Sequence, residues 1–459
     1  MHARQPLPGC HPGPRRPALR PPRGLLPPDR TASRSRALHG LRHRPTVART
    51  GAFACAPAHR VCWRRARGGS PLPRRRRGAR PPLRARGPAD PPRRRPLPSR
   101  GRLAGASGER PRPPGIDFID LPPVGFDPAG RLVSRDGRRS VERALDLRRE
   151  LILTTFDRLR PRAVVVELFP FGRKKFANEL LPVFDAVHAA GPGRPLLVTS
   201  LRDILVTGRR DQERHDERAC TLANRFLDAI LVHADPRFAR LEDSFHPTER
   251  LRVPVHYTGF VTGRPLPAPA PSPAHRLIVS AGGGLVGARL FRAAVEAHAL
   301  LFEREGLRTL LVAGPFLPEA DWQALRESAR GRPGLELRRS VPSLEAELFR
   351  AAVSVSQCGY NAALEILRTR VRALVVPFSE GGEDEQRMRA RRLERLGAVR
   401  VLEPERVDGP TLAAEVQSLL HFTPHPVALD MDGTGHTVEL LEALLVAHEG
   451  SRTLDYGMA

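Results

Sequence analysis

The chain has 459 residues and a formal net charge of +27, from 76 Lys and Arg against 49 Asp and Glu. Nearly all of the excess sits at one end: residues 1–115 hold 29 Arg and three acids (Asp29, Asp90, Glu109), a net +26, and the remainder is +1. A uniformly basic nucleic-acid-binding protein is therefore excluded, and no apolar run approaches the ~18 residues that a membrane span needs.

Residues 1–115 also carry 23 of the 48 prolines. Runs such as Arg74-Arg75-Arg76-Arg77 and Pro91-Pro92-Arg93-Arg94-Arg95 cannot bury enough apolar surface to offset chain entropy, so this leader is expected to be disordered. An Arg-rich tail for RNA or an anionic surface is one account. A transit peptide is another, although this much proline opposes the amphipathic helix such peptides form. Composition favours a third, a GC-rich gene read from the wrong start or frame, since the chain uses 74 Arg against 2 Lys. No apolar h-region precedes a small-residue cleavage site, and five scattered cysteines (Cys10, Cys55, Cys62, Cys220, Cys358) show no metal or disulfide spacing. A reducing cytoplasm is expected, with any membrane contact peripheral, on the inner face.

From position 116 the pattern changes to short β-branched runs at 116–121, 163–168, 196–201, 229–233 and 255–258, with helix-period stretches at 140–159 and 174–190. That alternation predicts βαβ units and a parallel sheet. The segment 264–274 carries five prolines and predicts a semi-rigid linker. A second series follows, with strands expected at 277–280, 309–313, 335–338, 353–356, 373–377 and 399–402. Helices are expected at 288–304, 319–330, 344–350, 361–369, 385–396, 411–420 and 437–448. The expected organisation is a leader (1–115), an incomplete N-terminal α/β domain (116–263), the linker (264–274) and a C-terminal α/β domain (275–459).

Between the first strand and helix of the second series stands Ser280-Ala281-Gly282-Gly283-Gly284-Leu285-Val286-Gly287. Bare backbone there lets an anion approach, and the helix N-terminus adds unpaired N–H groups, so a diphosphate is the natural guest. Gly282, Gly284 and Gly287 also satisfy G-x-G-x-x-G. A nicotinamide dinucleotide site needs an acid at the end of the second strand, and here that strand runs into Gly314-Pro315. A tight turn without ligand is the alternative.

Two further clusters follow expected strands, Ser356-Gln357-Cys358-Gly359-Tyr360-Asn361 with Glu365, and Glu383-Asp384-Glu385-Gln386. Open α/β sheets place ligands at such carboxyl edges, and carboxylates with a carboxamide suit sugar hydroxyls. Each cluster has a plainer reading, Glu365 as a charge favouring its helix dipole and residues 383–385 as a solvated N-cap. Asp430 and Asp432 mimic a metal-binding Asp-x-Asp, but their place just before a helix favours turn and cap roles. Cys358 reads as a small buried hydrophobe.

On the glycine loop, on Ser356, Gly359, Asn361 and Glu365, and on Glu385-Gln386, residues 277–400 resemble the donor domain of the GT-B glycosyltransferases, specifically the family-28 group. Upstream, Glu167-Leu168-Phe169-Pro170-Phe171-Gly172, 200–205 and 257–261 resemble an uncharacterised branch of that group. The resemblance implies two Rossmann-like domains and transfer of a sugar from a nucleoside diphosphate, UDP foremost, without a metal or other cofactor. It implies donor contacts at Gly282, Gly283, Gly284, Leu285, Ser356, Gly359, Asn361, Glu365, Glu385 and Gln386, with Arg264 reaching the diphosphate. Glu365 would hold the ribose and Gln386 the transferred sugar. The acceptor is not specified; a lipid or polysaccharide fits, and specific nucleic acid does not.

Two departures from the pattern are Cys358 and Ala362, where Gly or Ala and Thr are common. A larger one is that the family's first strand and Gly-His loop have no counterpart in the leader, so an incomplete enzyme that binds donor without transferring it is expected. Base candidates in what remains are His233, His256 and Asp203. A nucleotide-sugar epimerase of the same fold, or an anion- or RNA-binding protein working through the leader, are the alternatives.

Overall fold

The structure, a computed structural model, describes residues 60–64, 116–127, 131–263 and 275–455. The linker 264–274, Arg264 with it, and the leader apart from 60–64 lie outside the described residues. In chain order the elements are β1 (Arg60–Arg64), β2 (Ile116–Asp120), β3 (Val124–Phe126), β4 (Leu132–Ser134), α1 (Val141–Leu159), β5 (Ala163–Glu167), α2 (Ala177–Ala189) and β6 (Leu196–Leu201). Next come α3 (Gln212–Phe226), β7 (Ala229–Val232), β8 (Val255–Tyr257), β9 (Arg276–Ser280), α4 (Ala288–Glu305), β10 (Arg308–Val312), α5 (Glu319–Ala329) and β11 (Leu335–Arg338). The chain continues with α6 (Leu344–Leu348), β12 (Val353–Ser356), α7 (Tyr360–Thr369), β13 (Arg372–Val375), α8 (Glu385–Arg395), β14 (Arg400–Val401), α9 (Gly409–Leu419) and α10 (Gly433–Asp455).

The leader, expected to be disordered throughout, contributes β1, which pairs antiparallel with β2. Its core of Val61, Cys62 and Trp63 is among the few β-prone runs before position 116.

The front sheet has the order β5-β6-β7-β8, every pair parallel. Its central strands β6 and β7 are buried almost throughout because both of their faces are covered. Leu197 and Leu201 of β6 face a core with Phe184 and Phe226 of α2 and α3, whereas Leu196 and Val198 face Leu440, Leu441, Leu444 and Leu445 of α10. The last helix thus packs on the first sheet. Among the described residues β5 stands at the edge of this sheet, with Val165 exposed.

The rear sheet is complete, six parallel strands in the order β11-β10-β9-β12-β13-β14. Counted within the domain this is 3-2-1-4-5-6, the order of dinucleotide-binding folds. Alternate residues of β9 serve two layers. Leu277 and Val279 pack with α4 and α9, and Ile278 shares a core with Ala363 and Ile366 of α7 and Leu393 of α8. Strand order reverses between β9 and β12, so the crevice outside their carboxyl ends is where a ligand belongs.

Candidate functional site

The loop leaving β9 is built from short-range backbone bonds. The Gly284 amide donates to the Ala281 carbonyl at 2.8 Å, and the Gly287 amide to the Gly284 carbonyl at 3.2 Å. Gly282 and Gly284 are left-handed, with φ of +53° and +87°. A Cβ on Gly284 would overlap the Ala313 carbonyl oxygen, because the loop lies directly on the start of the β10–α5 connection. One on Gly287 would run into the Phe291 ring and the Ala281 methyl, so this glycine serves close helix–strand packing. Backbone geometry therefore accounts for Gly284 and Gly287 without a ligand. The left-handed φ likewise favours glycine at 282, where a Cβ would meet nothing, and Gly282 and Gly283 are both exposed.

The Gly284 amide, expected to face a diphosphate, is spent inside the loop. The amides of Gly282, Gly283, Leu285 and Val286 have no partner among the described residues, and they are the ones open to an anion. α4 begins immediately afterwards, with Gly287 as an N-cap that lacks any side-chain bond, so its positive end is also unsatisfied.

Across the switch point stands the segment after β12. Ser356 is paired in register with Ser280 and is buried, and its hydroxyl has no hydrogen-bond partner. Gln357 donates from Nε2 to the Val286 carbonyl at 3.2 Å, which ties this segment to the glycine loop. Gly359 is the N-cap of α7 and borders open space, Asn361 is exposed and Glu365 is half-buried one to two turns in. Cys358 is fully buried, and burial pushes its thiol up to about 12, so it is inert packing.

The third segment follows β13. The Phe378 amide donates to Gln386 Oε1 at 3.2 Å, which leaves the Gln386 NH₂ as the group it can present. Glu385 opens α8 with Oε2 buried and unpartnered, and burial holds its carboxyl above the ordinary range. Asp384 is committed elsewhere, accepting from the Thr207 amide at 2.8 Å and from the Thr207 hydroxyl.

That last contact crosses between the sheets, and it is one of several. Arg389 of α8 donates from Nε and Nη2 to both oxygens of Asp203, just beyond β6, at 2.7 and 2.8 Å, and from Nη1 to the Cys358 carbonyl at 2.8 Å. The Tyr360 hydroxyl donates to the His233 carbonyl at 3.0 Å and accepts from the Val261 amide at 3.1 Å. The Asp203 carboxylate is thus locked in a buried ion pair and is not placed as a free base. His256 is the middle residue of the three-residue β8, with Nε2 buried and unpartnered among the described residues. His233 is at that edge. The Asp430 carboxylate accepts from the Asp432 amide, and Asp432 from the Gly435 amide in the first turn of α10, which is turn and cap chemistry.

Sequence reasoning missed the roles of Arg389, Tyr360 and Thr207. A helical signal for Arg389 was present, since it lies with Gln386, Ala390 and Leu393 on one i, i+3, i+4, i+7 stripe, where a cation is out of place unless paired.

Residues 278–433 match the family model of the glycosyltransferase family 28 C-terminal domain. That match lies wholly within the rear domain. A relative from Synechococcus sp. (strain CC9605), a UDP-N-acetylglucosamine–N-acetylmuramyl-(pentapeptide) pyrophosphoryl-undecaprenol N-acetylglucosamine transferase, is 30% identical over 206 residues, 44% of this chain and 54% of the relative. The transferase of the same name from Gloeobacter violaceus is 26% identical over 174 residues, 38% of this chain and 47% of the relative. The chain thus spans about half the length of the curated relatives it matches. Among solved structures, Acinetobacter baumannii MurG is 17% identical with a TM-score of 0.40, covering 66% of this chain and 79% of that one. The calicheamicin glycosyltransferase CalG4 is 18% identical with a TM-score of 0.41, covering 69% and 77%. The family 28 match contains the glycine loop, the α7 start and the Glu385-Gln386 pair together.

Proposed function

We propose that this chain is a glycosyltransferase that takes a sugar from a nucleoside diphosphate, UDP foremost, and passes it to an acceptor hydroxyl. One observation carries the reading: at the switch point of the rear sheet, the loop leaving β9 holds four amides without partners among the described residues and an uncapped helix N-terminus, beside β12 with its buried, unpartnered Ser356 hydroxyl. The diphosphate would lie against Gly282, Gly283, Leu285 and Val286. Ser356, Gly359 and Asn361 would border it, with Glu365 on the ribose diol. The Gln386 NH₂ and the Glu385 carboxyl would meet the transferred sugar, and Arg264, at the start of the linker, would reach the phosphates.

As the bond to the anomeric carbon breaks, charge grows on the leaving diphosphate. Amides and a helix dipole already aimed there stabilise it without reorganisation, so we assign this role to the protein rather than to a metal. A lipid or polysaccharide acceptor and a cytoplasmic site of action, in peripheral contact with the membrane, belong to the same proposal. No described helix is long and apolar enough to cross a membrane.

Thermal-shift measurement of the 459-residue chain against a panel of nucleotides and nucleotide sugars tests the donor site. Uridine compounds are expected to stabilise the wild type and to lose most of that effect in Glu365→Ala; no response to any uridine compound would overturn the reading. Stabilisation by a UDP-sugar with no release of UDP would identify a chain that binds donor without transferring it.

A further inference from the structure

At the carboxyl edge of the front sheet, Ser200, His233 and Thr258 form a chain of hydrogen bonds whose direction is determined by its last member. The Thr258 hydroxyl donates to the Gly259 carbonyl at 3.0 Å, because a carbonyl oxygen can only accept. That uses its one proton. At 2.8 Å from His233 Nδ1, the Thr258 oxygen must therefore receive a proton from the ring. A neutral imidazole protonated at Nδ1 carries a lone pair at Nε2, and Nε2 lies 2.7 Å from the Ser200 hydroxyl, which must donate to it. The ring is neutral at physiological pH, since burial lowers its pKa to about 4 against an upward pull from Glu167. The Ser200 proton is thus directed away from the surface, and the serine, half-buried at the strand end, shows only lone pairs outward.

This edge adjoins the donor motif. Tyr360, the first residue of α7, donates to the His233 carbonyl, and the Arg202 guanidinium stands 6.0 Å from the Tyr360 ring centroid. Glu167 is paired in register with Ser200 and adds a second acceptor beside it, held by Arg202 at 3.4 Å and Arg173 at 3.6 Å.

We propose that Ser200 accepts the hydrogen bond of the hydroxyl that receives the sugar, with His233 and Thr258 as positioning residues that keep the serine proton turned away from the cleft. The proposal rests on the donor reading above and extends it to the opposite wall. A serine whose proton is committed recognises a hydroxyl or amine and has nothing to offer a carbonyl or ether oxygen, so the pair selects a proton-bearing nucleophile.

The test uses the full chain labelled with ¹⁵N in its backbone amides and histidine rings, with the His233 signals assigned by their loss in His233→Gln. A long-range ¹H–¹⁵N spectrum at neutral pH is expected to show His233 protonated at Nδ1 alone. Glycerol, as a simple hydroxyl probe, is expected to shift the Nε2 resonance through Ser200, and Ser200→Ala is expected to abolish that response. Protonation at Nε2, absence of a glycerol shift in the wild type, or a shift that survives Ser200→Ala would each overturn the proposal. The spectra are recorded with and without UDP. Loss of the UDP response at the amides of Gly282, Gly283, Leu285 and Val286 would count against the donor site alone, whereas the ring tautomer and the glycerol shift report on Ser200 in either state.

Discussion

Arg389 and Asp203 are 186 positions apart in sequence and form a two-pronged ion pair, each side chain about 3% exposed or less. Arg389 also holds the Cys358 carbonyl, one residue before the N-cap of α7, so the pair fastens the front sheet to the segment that borders the proposed ribose site.

Removing one partner of such a pair strands a buried charge and costs about 3–5 kcal/mol, whereas replacing both with apolar groups of similar size is close to neutral. Asp203→Asn is therefore expected to lower the thermal midpoint by many degrees, and the double substitution Asp203→Leu with Arg389→Met to recover most of that loss. The recovery stops short because the Cys358 carbonyl loses its donor. Equal destabilisation in the single and double variants would show that the pair is not what holds the halves together.

His233 gives the fold a defined acid sensitivity. Its folded pKa of about 4 lies below the unfolded value of about 6.5, so below 6.5 the unfolded chain binds the extra proton. Stability contributed by the neutral ring is fully present above pH 6.5 and is lost as pH falls toward 4, by about 3 kcal/mol in total on this shift. The charged group acting on the ring is Glu167, and the Tyr360 hydroxyl, which burial holds above its ordinary range, bonds the His233 carbonyl. Urea midpoints measured between pH 4 and 7 should fall more steeply for the wild type than for His233→Gln; parallel curves would contradict this.

Much of the rear domain was legible in the sequence because its signals are local. The glycine loop marks the first strand–helix turn, and the helix expected at 288–304 is observed to Glu305, stopped by Gly306 in the left-handed conformation. α3 was missed because its buried stripe is narrow and partly small, with Ala219, Cys220 and Ala223 beside Phe226 in an otherwise charged stretch. α10 starts at Gly433 rather than 437, since the Asp432 carboxylate accepts from the Gly435 amide in its first turn. The cross-domain bonds were not legible. Nothing local to Arg389 says that Asp203 waits for it, and nothing local to Gly284 says that its amide turns inward to Ala281.

Asp384 and Thr207 make a second tie between the halves, distinct from the donor contacts. Asp384→Asn keeps an acceptor for the Thr207 amide but weakens charge-assisted bonding, with an expected cost of about 1–2 kcal/mol. Uridine nucleotide affinity should change little in this variant. In Gln386→Ala, UDP-sugar affinity should fall and UDP affinity should hold, because Gln386 is assigned to the sugar alone. Calorimetric titration of both ligands against both variants checks the division, and a Gln386→Ala variant that loses UDP itself would contradict it.

The glycines separate fold from ligand most sharply. A methyl at position 284 would overlap the Ala313 carbonyl and force a left-handed residue with φ of +87°, so Gly284→Ala is expected to unfold or strongly destabilise the rear domain. At Gly282 the same methyl meets nothing within 4 Å, and the penalty is limited to the left-handed conformation, about 1–2 kcal/mol. The Gly282→Ala methyl would instead lie on the open surface where the diphosphate is proposed to rest, blocking close approach to the partnerless amides. Gly282→Ala should therefore fold, show a modestly lower thermal midpoint and lose most of its uridine nucleotide binding. If it binds UDP as tightly as the wild type, the anion does not rest on that surface, and the glycine loop is only a turn.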